Sequence, residues 1–298
     1  MIITRRRLLV SSGSLLALGA IGGALGLRSL AGDEDPVRVQ VQDVYRSVLP
    51  PGGYKTFVSF GDTILRLIDA GAVDPEKFRR LYERRGGLPA WVDRLFAVPS
   101  AEPITFSRDS APYLLNLLWP LGLSTKTTFN GKSPLNSPRL PSFASTGGWR
   151  LGKSRNGYVY FNRVETMRLD TAQESIVFEA ARRTFRPCCN NSAFFQDCNH
   201  GSAMLGLFEL AASQGATLED LYRIGLAANA HWYTRQYVAT ALYFQSVEGK
   251  PWHQVPPEVV LDKRYSSLSG WRANVDRRLH GKAPELRRAP GGGGACGI

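Results

Sequence analysis

The sequence predicts a mainly helical fold: a helical domain with one small β-hairpin and one long Ser/Pro/Gly-rich loop. Three observations carry this. Apolar residues recur at helical spacing along much of the chain, capping residues stand in front of several of those stretches, and residues 122–148 show no sustained period.

Taken in order, Val37-Arg38-Val39-Gln40-Val41 alternates apolar and polar residues and predicts a short strand, closed by the turn residues PPGGY. Phe60 to Ala70 places Ile64, Leu65 and Ile68 on one helical stripe. Asp74-Pro75-Glu76 joins an N-cap to a proline in the first turn, opening a helix that stops at Gly86-Gly87. Leu88-Pro89 opens a short helix through Phe96. Ser110-Ala111-Pro112 introduces YLLNLLW, apolar nearly all round and so expected to be buried, with its end at Pro120 and Gly122.

The loop of residues 122–148 follows. A loop of this length inside a domain is often a lid or binding loop, and it is also where the domain could divide. Its end, SFASTGGW, lacks the lysine and spacing of a phosphate loop, so a tight turn is the expectation there. Residues 149–161 read as the hairpin, with Asn156-Gly157 at its turn. Thr171-Ala172-Gln173-Glu174 is a capping-box pattern before a helix to Phe185. Helices are then expected from Asn199 to Gln214 with Gly215 as stop, from Thr217 to Asn229, from His231 to Phe244, and from Ser266 to Leu279. The tail, residues 281–298, has no core-forming pattern and is expected to be disordered.

The first residues read differently. A basic stretch ending at Arg5-Arg6-Arg7 precedes an uncharged, weakly apolar run from Leu8 to Leu27. Small residues at Ser29 and Ala31 then precede an acidic stretch, the order of a secretory signal. Thr4-Arg5-Arg6-Arg7-Leu8-Leu9 resembles the twin-arginine signal motif. That resemblance covers the leader alone. It implies residues 1–31 as a signal peptide, export of a folded protein through the twin-arginine translocation machinery, and a periplasmic or extracytoplasmic location. An uncleaved anchor is the alternative, since the apolar run is near the roughly 20 residues that span a bilayer.

Without its first 31 residues the chain holds 33 basic against 25 acidic residues, a net +8. Residues 32–280 are then the mostly helical domain, with no later run long enough to span a membrane. No basic cluster is interleaved with aromatics as a nucleic-acid groove would be, so nucleic acid is not an expected partner. Anionic envelope polymers or lipid heads suit the charge better, and a solvated basic surface accounts for it too.

Chemistry concentrates in RPCCNNSAFFQDCNHGSAMLG, residues 186–206, which holds three of the four cysteines. Cys188 and Cys189 follow a helix end at Pro187, while Cys198 and His200 open the next helix. The helix N-terminus favours a thiolate at Cys198. One reading makes Cys188, Cys189, Cys198 and His200 ligands of a transition metal, namely zinc, copper or iron, with a redox or metal-handling role. Met204, one turn after His200, and His231 would complete or flank that shell. His231 enters because the helix from His200 climbs about 22 Å and the next one returns by a similar distance.

Two other readings stay open. Cys198 could form a disulfide with Cys188 or Cys189, leaving a helical binding protein of the cell envelope; Cys296 in the tail is then a partner for the third thiol. Alternatively Cys198 is a reactive thiol, with His200 or His231 as base and Asp197 or Asn199 orienting it. Asn190 and Asn191 are candidates for hydrogen bonds to ligating sulfurs. Whether the protein is an enzyme stays undecided at this level.

Overall fold

The fold is seen in a computed structural model that describes residues 36–282, with side chains from residue 40 onward. The expected leader and the tail from residue 283, Cys296 included, lie outside the described residues. The chain enters on α1 (Pro36–Val48) where a strand over 37–41 was expected. The helical period wins because Val41, Val44 and Val48 share one stripe: Val44 and Val48 are buried and Val41 packs against them.

Then come β1 (Tyr54–Gly61), α2 (Thr63–Asp69), α3 (Pro75–Tyr82), α4 (Ala90–Leu95) and β2 (Ser100–Phe106). The two strands pair antiparallel, with Tyr54 opposite Phe106 and Ser59 opposite Pro103. So the small antiparallel element exists, but it joins segments either side of three helices instead of lying in 149–161. Thr56, Val58 and Phe60 point inward from β1, the period-2 signature of a half-buried strand.

Next are α5 (Ala111–Ser124), the short α6 (Ala144–Gly147), α7 (Thr171–Arg183), α8 (Asn199–Ser213), α9 (Leu218–Trp232) and α10 (Thr234–Val247). The chain finishes on α11 (Pro257–Leu261), α12 (Lys263–Ser266), α13 (Leu268–Trp271), a π-helical turn over 272–276 and α14 (Arg277–Lys282). No helix among the described residues is long and apolar enough to cross a membrane.

Helix α5 does not stop at Pro120 and Gly122; it runs through both to Ser124. Packing explains why. A Cβ on Gly206 of α8 would stand 2.5 Å from both the Gly122 nitrogen and the Leu118 carbonyl oxygen, so the two backbones touch at a pair of glycines. Every residue of α8 from His200 to Ala212 is buried. α8 is thus the central helix, with α5, α7 and α9 packed around it.

The 122–148 stretch is no open lid. Phe129 and Leu135 join the same core cluster, and short helical turns fold the rest. Residues 149–161 do not form the expected hairpin. The Asn156 side chain caps a 3-10 turn over 157–160 by accepting from Tyr158 N–H. The Trp149 ring packs so closely on Gly157 that a Cβ there would lie 2.7 Å from it. Tight packing of this turn on Trp149 replaces a ladder.

Candidate metal centre

The centre forms where α7 hands over to α8, and three elements pin the intervening segment. From the 122–148 stretch, Ser145 N–H donates to the Asp197 carbonyl and the Ser133 hydroxyl to the Phe194 carbonyl. From α13, Leu268 N–H donates to the Cys189 carbonyl, and the Ser269 N–H and hydroxyl both donate to Asn190 Oδ1. From its own flank, Ala193 N–H returns to the Thr184 carbonyl. The bonds made by the buried Ser133, Ser145 and Ala193 satisfy backbone or hydroxyl groups that burial would otherwise leave costly. Asn190 thereby ties the loop to α13, with its amide oxygen on the Ser269 groups.

Cys198 is the N-cap of α8: its backbone is extended and its Sγ accepts from Gly201 N–H at 3.4 Å. A sulfur thus fills the place usually taken by a Ser or Asp oxygen, and the amides of that first turn favour negative charge on it. Sγ of Cys188, Sγ of Cys198 and a ring nitrogen of His200 all lie within 4.8 Å of one another. Cys189, Asp197 and Cys198 form a second group with the same spread. The described residues therefore contain Cys/His groups close enough to hold a metal ion.

The two groups are not equivalent. Arg186 Nη2 is 3.3 Å from Cys189 Sγ, 3.6 Å from Cys198 Sγ and 3.0 Å from Asp197 Oδ1. A guanidinium nitrogen therefore already sits among the second three ligands, and its side chain is fully buried. Asn191 Nδ2 bonds the other Asp197 oxygen at 2.9 Å, so it supports the carboxylate. The Cys188–Cys198–His200 group shares only Cys198 with the second one and could hold a metal ion.

His200 is prepared as a ligand. Its Nδ1 is 2.9 Å from Asn199 Oδ1, and the His200 backbone N–H donates to that same oxygen at 2.9 Å. An oxygen that already accepts one N–H makes Nδ1 the protonated nitrogen and leaves the Nε2 lone pair for a metal. Burial lowers the imidazole pKa to about 4, opposed by the Cys198 sulfur and assisted by Arg186. The ring is neutral at physiological pH. Tyr233 lies against it with ring centroids 4.7 Å apart, and the Tyr233 hydroxyl donates to Cys188 Sγ at 2.9 Å. Burial, with Cys188 and Cys198 adding to it, holds that phenol well above its ordinary pKa, so it stays a donor.

Cys198 is the thiol whose ionisation the site favours. Hydrogen bonds from Cys188 and then Cys189 lower its pKa well below the ordinary value; burial opposes this, and Arg186 adds to the lowering. For Cys189 the bond with Cys188 lowers the pKa, but the bond with Cys198 and burial outweigh it, and the net shift is upward. Asp197 is also raised, first by burial and then by Cys198, even though Arg186 is bonded to it. The thiol with the lowered pKa thus stands beside one buried guanidinium.

Other sequence candidates fall elsewhere. His231 turns its Nδ1 to the Ala227 carbonyl at 2.7 Å and lies beside the Phe106 ring. It lines a separate hollow with Tyr54 and Trp252 and is in neither ligand group. Met204 is fully buried, with its sulfur against Gly225 of α9. Cys189 and Cys198 are free cysteines, so the Cys198 disulfide of the alternative reading is not formed. The dyad of a Cys198 nucleophile with His231 as base has no geometric support.

Arg186 and Tyr233 are the residues that sequence reasoning missed. Arg186 lies in the RPCC stretch itself but is one of 37 basic residues, with nothing local to mark it as buried. Tyr233 is two residues after His231, inside an aromatic stripe that reads as core. In comparisons with known proteins, the chain matches no family model, no curated protein and no solved structure.

Proposed function

We propose that the protein binds one soft transition-metal ion through Cys188, Cys198 and His200, and serves in redox or metal handling outside the cytoplasm. The observation that carries this is the convergence of two sulfurs and one imidazole nitrogen within 4.8 Å, with the imidazole held neutral and its Nδ1 tied to Asn199. Thiolate and imidazole together suit zinc and copper, and thiolate-rich sets also take iron. When bound, the ion supplies a Lewis-acidic or one-electron centre. The chain's own residues hold and orient it: Cys198 by its place on the helix terminus, His200 through Asn199, and Cys188 through Tyr233.

Export is part of this proposal and rests on the twin-arginine-like residues 4–9. Ligands drawn from two sides of one loop come together only in the folded chain. Loading before export is the natural order for such a site, and the translocation machinery would be the first partner. The surplus of basic residues would then favour contact with anionic envelope polymers or lipid heads.

The test is a metal titration of the reduced full chain, read as stoichiometry and affinity. One ion per chain is expected. Loss of at least a hundredfold in affinity is expected for Cys198→Ser, Cys188→Ser and His200→Gln, with the far-UV spectrum retained. Equal affinity in wild type and all three variants would refute the proposal.

A further inference from the structure

The second ligand group bears on which ion the first one takes. Arg186 is fully buried, and its Nε and Nη1 have no hydrogen-bond partner among the described residues. Only Nη2 is engaged, and it faces two sulfurs and one carboxylate oxygen. The guanidinium is held there by the shape of the first turn of α8. A Cβ on Gly201 would lie 2.8 Å from Nη2, so the glycine leaves the space that the group fills.

This placement acts on an incoming ion in two ways. Among the described residues Cys189 is the one further thiol beside the group, and Arg186 Nη2 stands 3.3 Å from its sulfur and so competes with an ion for it. The Cys188–Cys198–His200 group itself offers two sulfurs and one nitrogen. Soft sulfur ligands favour copper(I), and two thiolates with one imidazole and a water also suit zinc, so the donor set alone leaves both ions open. The second effect is charge. Nη2 is 3.6 Å from Cys198 Sγ. A metal–sulfur bond of about 2.3 Å therefore keeps the ion within about 6 Å of a permanent positive charge.

We propose that this centre takes a monovalent soft cation, copper(I), and that Arg186 is the residue that sets the choice. The inference rests on the metal-site reading above. One extra unit of charge at about 6 Å, at an effective dielectric constant near 20, disfavours a divalent ion about a hundredfold relative to a monovalent one. The Asp197 carboxylate, 3.0 Å from the same Nη2, offsets part of that. About tenfold is the discrimination expected from Arg186 after the offset.

The experiment measures copper(I) and zinc(II) affinities by chelator competition on the reduced full chain, for wild type and for Arg186→Gln, Arg186→Lys and Asp197→Asn. The ratio of copper(I) to zinc(II) affinity should fall about tenfold in Arg186→Gln and stay within about threefold in Arg186→Lys, which keeps the charge. It should rise in Asp197→Asn, which removes the offset. That last variant also decides the matter if Arg186→Gln does not fold: a ratio that stays the same or falls in Asp197→Asn overturns the proposal. An unchanged ratio in a folded Arg186→Gln, with both ions still bound, overturns it too while leaving the metal site itself standing. Binding of neither ion by wild type removes both readings.

Discussion

The Arg186 guanidinium lies across the first turn of α8 against Gly201, with Nη2 and Cζ at 2.8 and 2.9 Å from where a Cβ on residue 201 would stand. A glycine in a helix interior ordinarily costs stability relative to alanine. Here the sign reverses, because alanine must displace a buried cation bonded to two sulfurs and a carboxylate. Gly201→Ala should destabilise the protein by about 1–3 kcal/mol. A thermal melt checks this; a melting temperature at or above wild type would contradict it.

Asn199 reaches His200 twice, once through the ring and once through the backbone N–H. Removing the amide frees the ring tautomer and its orientation without touching a ligand atom. Asn199→Ala should weaken metal binding about tenfold with one ion per chain preserved. Competition titration reads this, and an unchanged affinity would mean that the ring is held by its Trp232 and Tyr233 neighbours alone.

Glu209 sits in the middle of α8, fully buried, and its Oε2 has no partner among the described residues. Burial raises its carboxyl pKa well above the ordinary 4.5, with hydrogen bonds from Thr125 and Asn130 opposing in part. The folded state therefore binds this proton more tightly than the unfolded state does. Its stabilising effect is complete below about pH 4.5 and is lost as pH rises toward the folded pKa, at up to about 1.4 kcal/mol per pH unit. Glu209→Gln should flatten that dependence and leave the variant more stable than wild type at pH 7. Urea unfolding at pH 5 and pH 7 tests it; parallel behaviour of the two proteins would contradict it.

The Gly122–Gly206 contact predicts a larger effect. Gly206→Ala puts a Cβ 2.5 Å from two backbone atoms of α5, and no side-chain rotation relieves a backbone clash. The two helices must separate. We expect a loss at or above about 3 kcal/mol, the upper range for overpacking, and little soluble protein at 37 °C. Denaturant unfolding at low temperature measures it, and a loss under about 1 kcal/mol would show that the helices slide apart freely.

The helices with strong local caps were legible in the sequence. Asp74 accepts from Glu76 and Lys77 N–H as its position before Pro75 suggests, and Thr217 with Asp220 forms a full capping box. At α7 the box is shifted by one residue, to Asp170 with Gln173. Strands β1 and β2 were not legible: exposed Phe57 blurs the alternation of the first, and Pro103 interrupts the second. Pro120 and Gly122 read as a helix end because close packing on another helix leaves no local mark.

The site was legible in part. Helix lengths alone place the end of α9 at the level of His200, and that geometry holds. The side chain that faces the cluster is Tyr233, while His231 turns to its own helix carbonyl. Counting residues gives the level of a helix but not the rotation of its last turn, where the chain leaves helical geometry at Tyr233. Burial of Arg186 is a tertiary fact: it depends on Gly201, Asp197 and two sulfurs meeting, and no single segment carries all of its causes.

Metal-edge X-ray absorption on the reduced, copper-loaded full chain tests the central claim most directly. Two sulfur scatterers and one nitrogen are expected around the ion in wild type. Cys198→Ser should lose one sulfur, and Asp197→Asn should leave the shell unchanged. A shell of nitrogen and oxygen alone, or the same shell in wild type and Cys198→Ser, would contradict a centre built on Cys188, Cys198 and His200.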